Sequence, residues 1–108
     1  MMRIISGYNG NEIPIEEVLS QVGRGWSDLV TRLIEDLEKL GWDGTLLQIK
    51  EKFGGLRFYV GTASDAIYDR ILDVEDESFK VCEVCGQPGN CVNRYGWMKT
   101  VCMTHLDS

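Results

Sequence analysis

Cys-Glu-Val-Cys at 82–85 and Cys-Met-Thr-His at 102–105 are the most informative segments of the sequence. In each pair two residues separate the ligands, so a tight turn brings both side chains to one ion. Residues 86–101 lie between the pairs, and the second pair therefore closes the coordination shell from another part of the chain. This spacing predicts one structural Zn²⁺ ion with four ligands: Cys82, Cys85, Cys102 and His105.

Disulfides and redox chemistry are the alternatives for these cysteines, because an even cysteine count in a short chain is also typical of a secreted scaffold. Residues 1–7 reach a glycine and then polar residues before any apolar region long enough for a signal peptide, so we expect a cytoplasmic protein with reduced thiols. A thioredoxin-like motif would follow a strand, whereas Cys82 precedes Gly86 and Pro88, as in a zinc knuckle. The sequence contains no run of about 18 apolar residues, so we expect no membrane span.

Three thiolates and one imidazole fill a tetrahedron and leave no position for water, which is typical of structural zinc. His105 is the only histidine in the sequence, so no ligand remains for a histidine-metal nuclease centre. The sequence also lacks the His-x-Glu segment of zinc deaminases, a phosphate-binding loop and a Gly-x-Ser-x-Gly motif. We therefore expect neither an enzyme nor a small-molecule substrate.

The zinc module is predicted to occupy residues 79–108, after an α+β body at 1–78. A knuckle at 82–86 is followed by a hairpin over 92–101 that turns near residues 95–96. The last ligand pair then begins a helix of about one or two turns. Knuckle, hairpin and helix in this order are similar to a treble-clef zinc finger.

Two residues of the module have open roles. Cys91 lies outside the ligand pairs, and free cysteine is often buried. A reactive thiol or an alternative ligand set that includes Cys91 stays open. Trp97 is expected to pack over the metal hairpin, whereas an exposed tryptophan there would indicate a binding anchor.

The body contains enough apolar residues for a core, since 44% of the 108 residues are hydrophobic. Its three predicted helices cover about 14–22, 27–40 and 63–77. In the second helix apolar residues recur at helical spacing, with Ser27 suited to the N-cap and Gly41 to the end. Thr62 or Ser64 would cap the third helix.

Residues 46–61 predict a β-hairpin that turns at Gly54-Gly55, because glycine tolerates the positive φ angles of a two-residue turn. Phe53 would then lie opposite Leu56, and the apolar side chains, including Phe53, would share one face. The other face would be basic and aromatic, with Lys50, Lys52, Arg57 and Tyr59. The predicted fold class is therefore α+β, with helices packed on a β-hairpin and a C-terminal treble-clef-like zinc module.

Three motifs carry a resemblance: Phe-Gly-Gly-Leu-Arg-Phe-Tyr at 53–59, Cys-x-x-Cys-Gly-x-Pro-Gly at 82–89 and Gly-Trp-x-x-Thr-x-Cys-x-x-His at 96–105. Together they resemble a group of small, mostly uncharacterised proteins encoded by phages, prophages and bacteria, over about residues 45–106. The resemblance implies a cytoplasmic, zinc-stabilised accessory protein without an assigned reaction. Small phage proteins of this kind often act by binding host proteins.

Two functions are compatible with these observations. The first is a module that binds a protein partner, such as a host factor, as an inhibitor or adaptor; exposed rings at Trp26, Trp42 or Trp97 would support it. The second is a nucleic-acid-binding module that uses the basic and aromatic face of the first hairpin. Arg94 and Lys99 would extend that face if the two hairpins lie side by side. The net charge of −6 argues against broad, non-specific binding of nucleic acid, and the oligomeric state is not predicted.

Overall fold

The computed structural model describes residues 3–106 and has the predicted α+β fold. Its elements are β1 (Ile4–Ser6), β2 (Glu12–Ile13), α1 (Ile15–Leu19), a 3-10 turn (Arg24–Trp26), α2 (Ser27–Lys39), β3 (Thr45–Lys52), β4 (Gly55–Val60), α3 (Asp65–Ser78), β5 (Asn90–Arg94), β6 (Trp97–Val101) and a final 3-10 turn (Met103–His105). The first four strands form one mixed sheet in the order β2-β1-β3-β4, with β1 parallel to β3. Strands β5 and β6 form a separate antiparallel hairpin. None of the helices within residues 3–106 has the length and apolar character needed to cross a membrane.

The helices differ from the prediction mainly at their starts. Helix α1 is shorter than predicted, with Pro14 at the N-cap rather than inside the helix. Ser27 is the first residue of α2 and not its N-cap, because the 3-10 turn runs directly into the helix and leaves Trp26 at the cap position. Ser64 caps α3 as predicted, since its side chain accepts a hydrogen bond of 3.3 Å from the N–H of Ile67.

Helix α2 supplies the centre of the core, and its buried residues are Leu29, Val30, Leu33, Ile34 and Leu37. The helix ends at Lys39, and Gly41, two residues later, has a left-handed φ of 90°. The N–H of Trp42 then donates to the carbonyl of Leu37 (2.9 Å), and the N–H of Gly41 to that of Glu38 (3.1 Å). These two bonds form a Schellman motif. The motif directs Trp42 into the core, where its ring packs edge-on against Phe58 at 5.8 Å.

The first hairpin turns one residue earlier than predicted, at Phe53-Gly54, with φ angles of 54° and 86°. Lys52 therefore lies opposite Gly55, and the predicted pairing of Phe53 with Leu56 is wrong. Gly55 serves a different purpose, because a Cβ atom there would lie 2.3 Å from the ring of Phe79. Glycine at this position allows α3 to end close to the sheet.

From Gln48 onward, the shift in register changes the opposite partner by two residues and so leaves the side chains on their predicted faces. Before Gln48, a bulge buries Leu46 in place of Leu47, which was predicted on the apolar face. Lys50, Lys52, Arg57 and Tyr59 still alternate with the buried apolar residues of the hairpin. Phe53 is a second exception. The strand pattern predicts it on the apolar face, but it stands in the turn with 68% of its surface exposed.

Strand β4 is the outer strand of the sheet, and side chains of α3 occupy its free edge. The Oγ of Ser78 accepts a hydrogen bond of 2.9 Å from the N–H of Leu56. An Oε of Glu75 accepts one of 2.9 Å from the N–H of Phe58. These backbone groups are therefore satisfied within the chain and are not open to pairing with another strand.

Candidate metal centre

The four residues predicted as zinc ligands lie together, and their ligand atoms are all within 4.8 Å of one another. The Sγ atoms of Cys85 and Cys102 are 3.7 Å apart. The Nδ1 atom of His105 lies 3.3 Å from Sγ of Cys102 and 3.8 Å from Sγ of Cys82. A tetrahedral zinc ion with Zn–S near ~2.3 Å and Zn–N near ~2.0 Å would place ligand atoms about 3.5–3.8 Å apart. The three distances given above lie close to this range, and the group could hold one metal ion.

A tight backbone turn directs the first two thiols to the same side. The N–H of Gly86 donates to the carbonyl of Cys82 (2.9 Å), and the N–H of Cys82 donates to the carbonyl of Gln87 (2.7 Å). Gly86 adopts a φ of 84°, which favours glycine. The chain therefore reverses directly after Cys85, as expected of a zinc knuckle.

Strand β6 ends beside the knuckle and so places the second ligand pair next to the first. The N–H of Glu83 donates to the carbonyl of Thr100 (2.9 Å), two residues before Cys102. The N–H of His105 then donates to the carbonyl of Cys102 (3.1 Å) and closes a single 3-10 turn. The order of a treble clef is thus kept, with one short turn in place of a longer helix.

Local hydrogen bonds favour the charged forms of two thiols. Burial raises the pKa of Cys82, but backbone hydrogen bonds at Cys102, Cys85 and Val84 outweigh it and lower that pKa to about 6. Burial also raises the pKa of Cys102, and a hydrogen bond with His105 outweighs it, so that the net pKa is lowered. The same hydrogen bond raises the pKa of His105. Metal binding requires thiolates, so the environment of Cys82 and Cys102 suits a ligand role.

Cys85 behaves differently from the other two thiols. A backbone hydrogen bond at Gln87 lowers its pKa, but burial and the neighbouring thiols of Cys102 and Cys82 raise it more. Burial and the crowding of sulfur atoms are the physical causes. A divalent cation between them would remove this repulsion by binding all the thiolates at once.

Cys91 does not belong to the group that residues 3–106 bring together. It is partly buried, and its Sγ lies 3.9 Å from the carbonyl oxygen of Phe53. The donor set is therefore three sulfurs and one imidazole nitrogen, which favours Zn²⁺ over harder ions. Four protein ligands fill a tetrahedral site, and such closed sites are structural.

The knuckle rests on the 3-10 turn that precedes α2. The N–H of Gly25 donates to the carbonyl of Glu83 (2.9 Å), and the indole N–H of Trp26 donates to the carbonyl of Val81 (2.9 Å). A Cβ atom on Gly25 would lie 2.0 Å from the carbonyl oxygen of Cys82, so only glycine fits. The metal-binding segment is thus packed against residues from the first quarter of the chain.

Four of the six residues predicted as a binding face share one face of the first hairpin. Lys50 lies opposite Arg57, and the Nζ of Lys50 is 5.9 Å from the centre of the Tyr59 ring. Arg57 also lies 3.8 Å from the carboxylate of Glu75, so its charge is already balanced. The Nζ of Lys52 is 5.7 Å from the ring of Phe53.

The other two residues of the predicted face have neighbours of their own. Lys99 lines a depression with Arg24 and Glu83, beside the knuckle. The guanidinium of Arg94 donates a hydrogen bond to the carbonyl oxygen of Leu106. Both side chains therefore lie on the β5–β6 hairpin, Lys99 next to the knuckle and Arg94 next to the final turn.

Trp97 does not pack over the metal hairpin as predicted, because 69% of its surface is exposed. Trp26 and Trp42 are buried. Tyr95 is fully exposed, in a turn whose φ angles of 54° and 84° match those of the Phe53-Gly54 turn. The sequence signal for the exposed rings of Phe53 and Tyr95 is the glycine that follows each of them, since glycine in second place is typical of a two-residue turn.

A cleft of about 290 Å³ separates the two hairpin turns. Its walls are formed by Glu51, Lys52, Phe53, Gly96, Trp97 and Met98. The cleft thus combines two exposed rings with one cationic and one anionic side chain, and the sequence did not predict it.

No protein-family model, curated protein or solved structure matches this chain. The resemblance to phage and bacterial proteins therefore depends on the three quoted motifs. The structure adds to them a Cys3His group that could hold one metal ion.

Proposed function

We propose that the protein is a zinc-stabilised, non-enzymatic module that binds a protein partner. One structural Zn²⁺ ion is held by the Cys3His group, and the hairpin between the ligand pairs presents the binding surface. The observation that carries this proposal is the exposure of Trp97, 69%, on the strand that leads to Cys102. The resemblance to phage proteins suggests a host factor as the partner, which the module would inhibit or link to another protein in the cytoplasm.

The exposed ring of Trp97 on a short hairpin supports association with protein. Tryptophan and tyrosine dominate the energetics of protein interfaces, and burying one such ring contributes about 1.5–3 kcal/mol. Trp97 stands on the short β5–β6 hairpin, opposite Arg94. A bound zinc ion would hold this hairpin in place before the partner arrives, and less conformational entropy is then lost on binding.

The proposal can be tested with peptides selected from a displayed random library on the immobilised, zinc-loaded protein. Selected peptides would be synthesised, and their affinities measured by fluorescence anisotropy for wild type and Trp97→Ala. We expect Trp97→Ala to weaken binding at least about 30-fold, the effect of losing an interface hot spot. Tyr8→Ala is the matched control, since Tyr8 is an exposed ring in the β1–β2 turn. Failure to select any peptide, or equal binding by Trp97→Ala, would contradict the proposal.

A nucleic-acid-binding module is the second candidate function. The observation in its favour is the adjacent placement of Lys50, Arg57 and Tyr59 on one face, which combines cations with a ring for stacking. The carboxylate beside Arg57 and the net charge of −6 weigh against it. Binding of a single-stranded oligonucleotide that weakens steeply with salt and is lost in Lys50→Glu/Lys52→Glu would favour this function.

A further inference from the structure

We infer that the cleft between the two hairpin turns is a docking site for an extended segment of a partner protein. The segment inserts one large apolar side chain between Phe53 and Trp97 and places a carboxylate beside Lys52. This inference rests on the proposed function and specifies its partner. Three features of the cleft support it: the backbone of its turns, its attachment to the zinc hairpin, and its charge.

Both turns hold an aromatic residue in a conformation that aromatic residues rarely adopt. Phe53 and Tyr95 each have a φ of 54°, at the turn position where asparagine, aspartate or glycine is preferred. Bulky side chains at positive φ are outliers. Both rings also point into solvent, so packing within the chain does not explain their presence. Strained backbone with exposed apolar side chains is typical of a functional surface.

The cleft has a fixed width, because the two hairpins are joined at its base. The Oγ1 of the buried residue Thr100 donates a hydrogen bond of 2.6 Å to the carbonyl oxygen of Gly54. A Cβ atom on Gly54 would lie 2.9 Å from the Sγ of Cys91, so the turn and strand β5 are in close contact. The backbone segments that carry Phe53 and Trp97 are therefore joined before a ligand binds, which favours affinity.

The size and charge of the cleft indicate its occupant. A volume of about 290 Å³ accommodates one large side chain and not a folded surface. Glu51 already accepts a hydrogen bond of 2.7 Å from the N–H of Gly54. Of the two charged side chains in the wall, Lys52 forms no ion pair within residues 3–106, so its ammonium group is available to a ligand. A carboxylate next to the inserted side chain complements it.

Peptide titration of the ¹⁵N-labelled, zinc-loaded protein tests this inference. The probes are three heptapeptides, with tryptophan between two aspartates, tryptophan between two lysines, and alanine between two aspartates. A ten-residue oligothymidine is the fourth probe. We expect the aspartate-tryptophan peptide to shift the amide signals of Phe53, Gly96 and Met98 and the indole signal of Trp97. The indole signals of Trp26 and Trp42 should not move.

The lysine-flanked and alanine-centred peptides should each bind at least about 5-fold more weakly, the effect of one lost charge contact or anchor. Lys52→Glu should reverse the order of the two tryptophan peptides. Lys39→Glu is the matched control, since Lys39 is an exposed lysine on α2, and it should leave the order unchanged. Equal binding of both tryptophan peptides by wild type, signal changes elsewhere, or tighter binding of oligothymidine would each overturn the inference.

The displayed-peptide selection separates this inference from the proposed function. Selected peptides that require Trp97 but bind Lys52→Glu and Phe53→Asn as well as wild type would refute the cleft and leave the proposed function standing. Selected peptides that do not require Trp97 would refute both.

Discussion

The hydroxyl group of Thr100 donates a hydrogen bond of 2.6 Å to the carbonyl oxygen of Gly54. The carbonyl oxygen of Thr100 accepts a hydrogen bond of 2.9 Å from the N–H of Glu83 in the knuckle. One buried residue therefore connects the turn of the first hairpin with the segment that holds Cys82. A structural change at the metal centre should consequently alter the position of Phe53, although Phe53 is distant from the ligands in the sequence.

Replacing this threonine should weaken the connection between the two hairpins. Thr100→Val keeps the shape of the side chain but leaves the buried carbonyl of Gly54 without that donor. We expect a loss of about 1–3 kcal/mol in the free energy of unfolding, measured by urea denaturation of the zinc-loaded protein. Thr62→Val, at an exposed position, is the control. Identical denaturation midpoints for the two variants would contradict the structural role of Thr100.

Removal of a buried ligand should abolish metal binding. We expect one zinc ion per wild-type chain by elemental analysis and none bound tightly by Cys82→Ser. Because a structural zinc ion contributes on the order of 10 kcal/mol to folding of its module, residues 79–106 should become sensitive to proteolysis. Cys91→Ser is the control and should retain the ion, since Cys91 lies outside the Cys3His group. Retention of zinc by Cys82→Ser would show that the ligand set is wrong.

Relieving the strained turn should make the protein more stable and less able to bind. Asparagine tolerates positive φ, so Phe53→Asn should raise the free energy of unfolding by about 1 kcal/mol and the melting temperature by a few degrees. It should also weaken peptide binding, because Phe53 forms one wall of the cleft.

Tyr95→Asn provides a control for this trade-off. Tyr95 has the same φ of 54° but is not part of the cleft wall. We therefore expect a similar gain in melting temperature with peptide affinity close to that of wild type. A loss of stability in both asparagine variants would show that packing holds the rings and that the turns store no strain.

The contact between the knuckle and the N-terminal half should depend on Gly25. Alanine at this position would place a methyl group against the carbonyl of Cys82, at 2.0 Å before relaxation. We expect Gly25→Ala to lower the free energy of unfolding by about 1–3 kcal/mol and to weaken zinc retention in competition with a chelator. Gly61→Ala is the control, since nothing lies within 4 Å of a Cβ atom there. Unchanged zinc retention in Gly25→Ala would mean that the knuckle can move away from this contact.

Features that depend on near neighbours in the sequence could be predicted. The two-residue gaps of the ligand pairs reflect the reach of one tight turn, and the four ligands form a cluster in the structure. The apolar spacing of α2 and the glycine at its end were equally local signals. The turn at Tyr95-Gly96 was also located by its glycine.

Features that depend on distant contacts could not be predicted. Two adjacent glycines predict a turn of the first hairpin at Gly54-Gly55, but Gly55 is required by Phe79. Strands β1 and β2 have three and two residues, too few for a periodic pattern, and β1 forms because its neighbour β3 pairs with it. The exposure of Trp97 depends on how two hairpins meet, which no local pattern encodes.

The contact between Trp26 and Val81 has a consequence for synthesis of the protein. Trp26 is fully buried and its indole donates to a carbonyl 55 residues further along the chain. During translation α2 emerges well before the knuckle, so the indole lacks its acceptor until Val81 has left the ribosome, and the metal centre lacks its last ligand until His105 has done so. We expect zinc uptake to be the final step of folding. In zinc-starved cells, nascent chains would keep an unprotected tryptophan that chaperones and proteases recognise, and the abundance of the protein would follow the zinc supply.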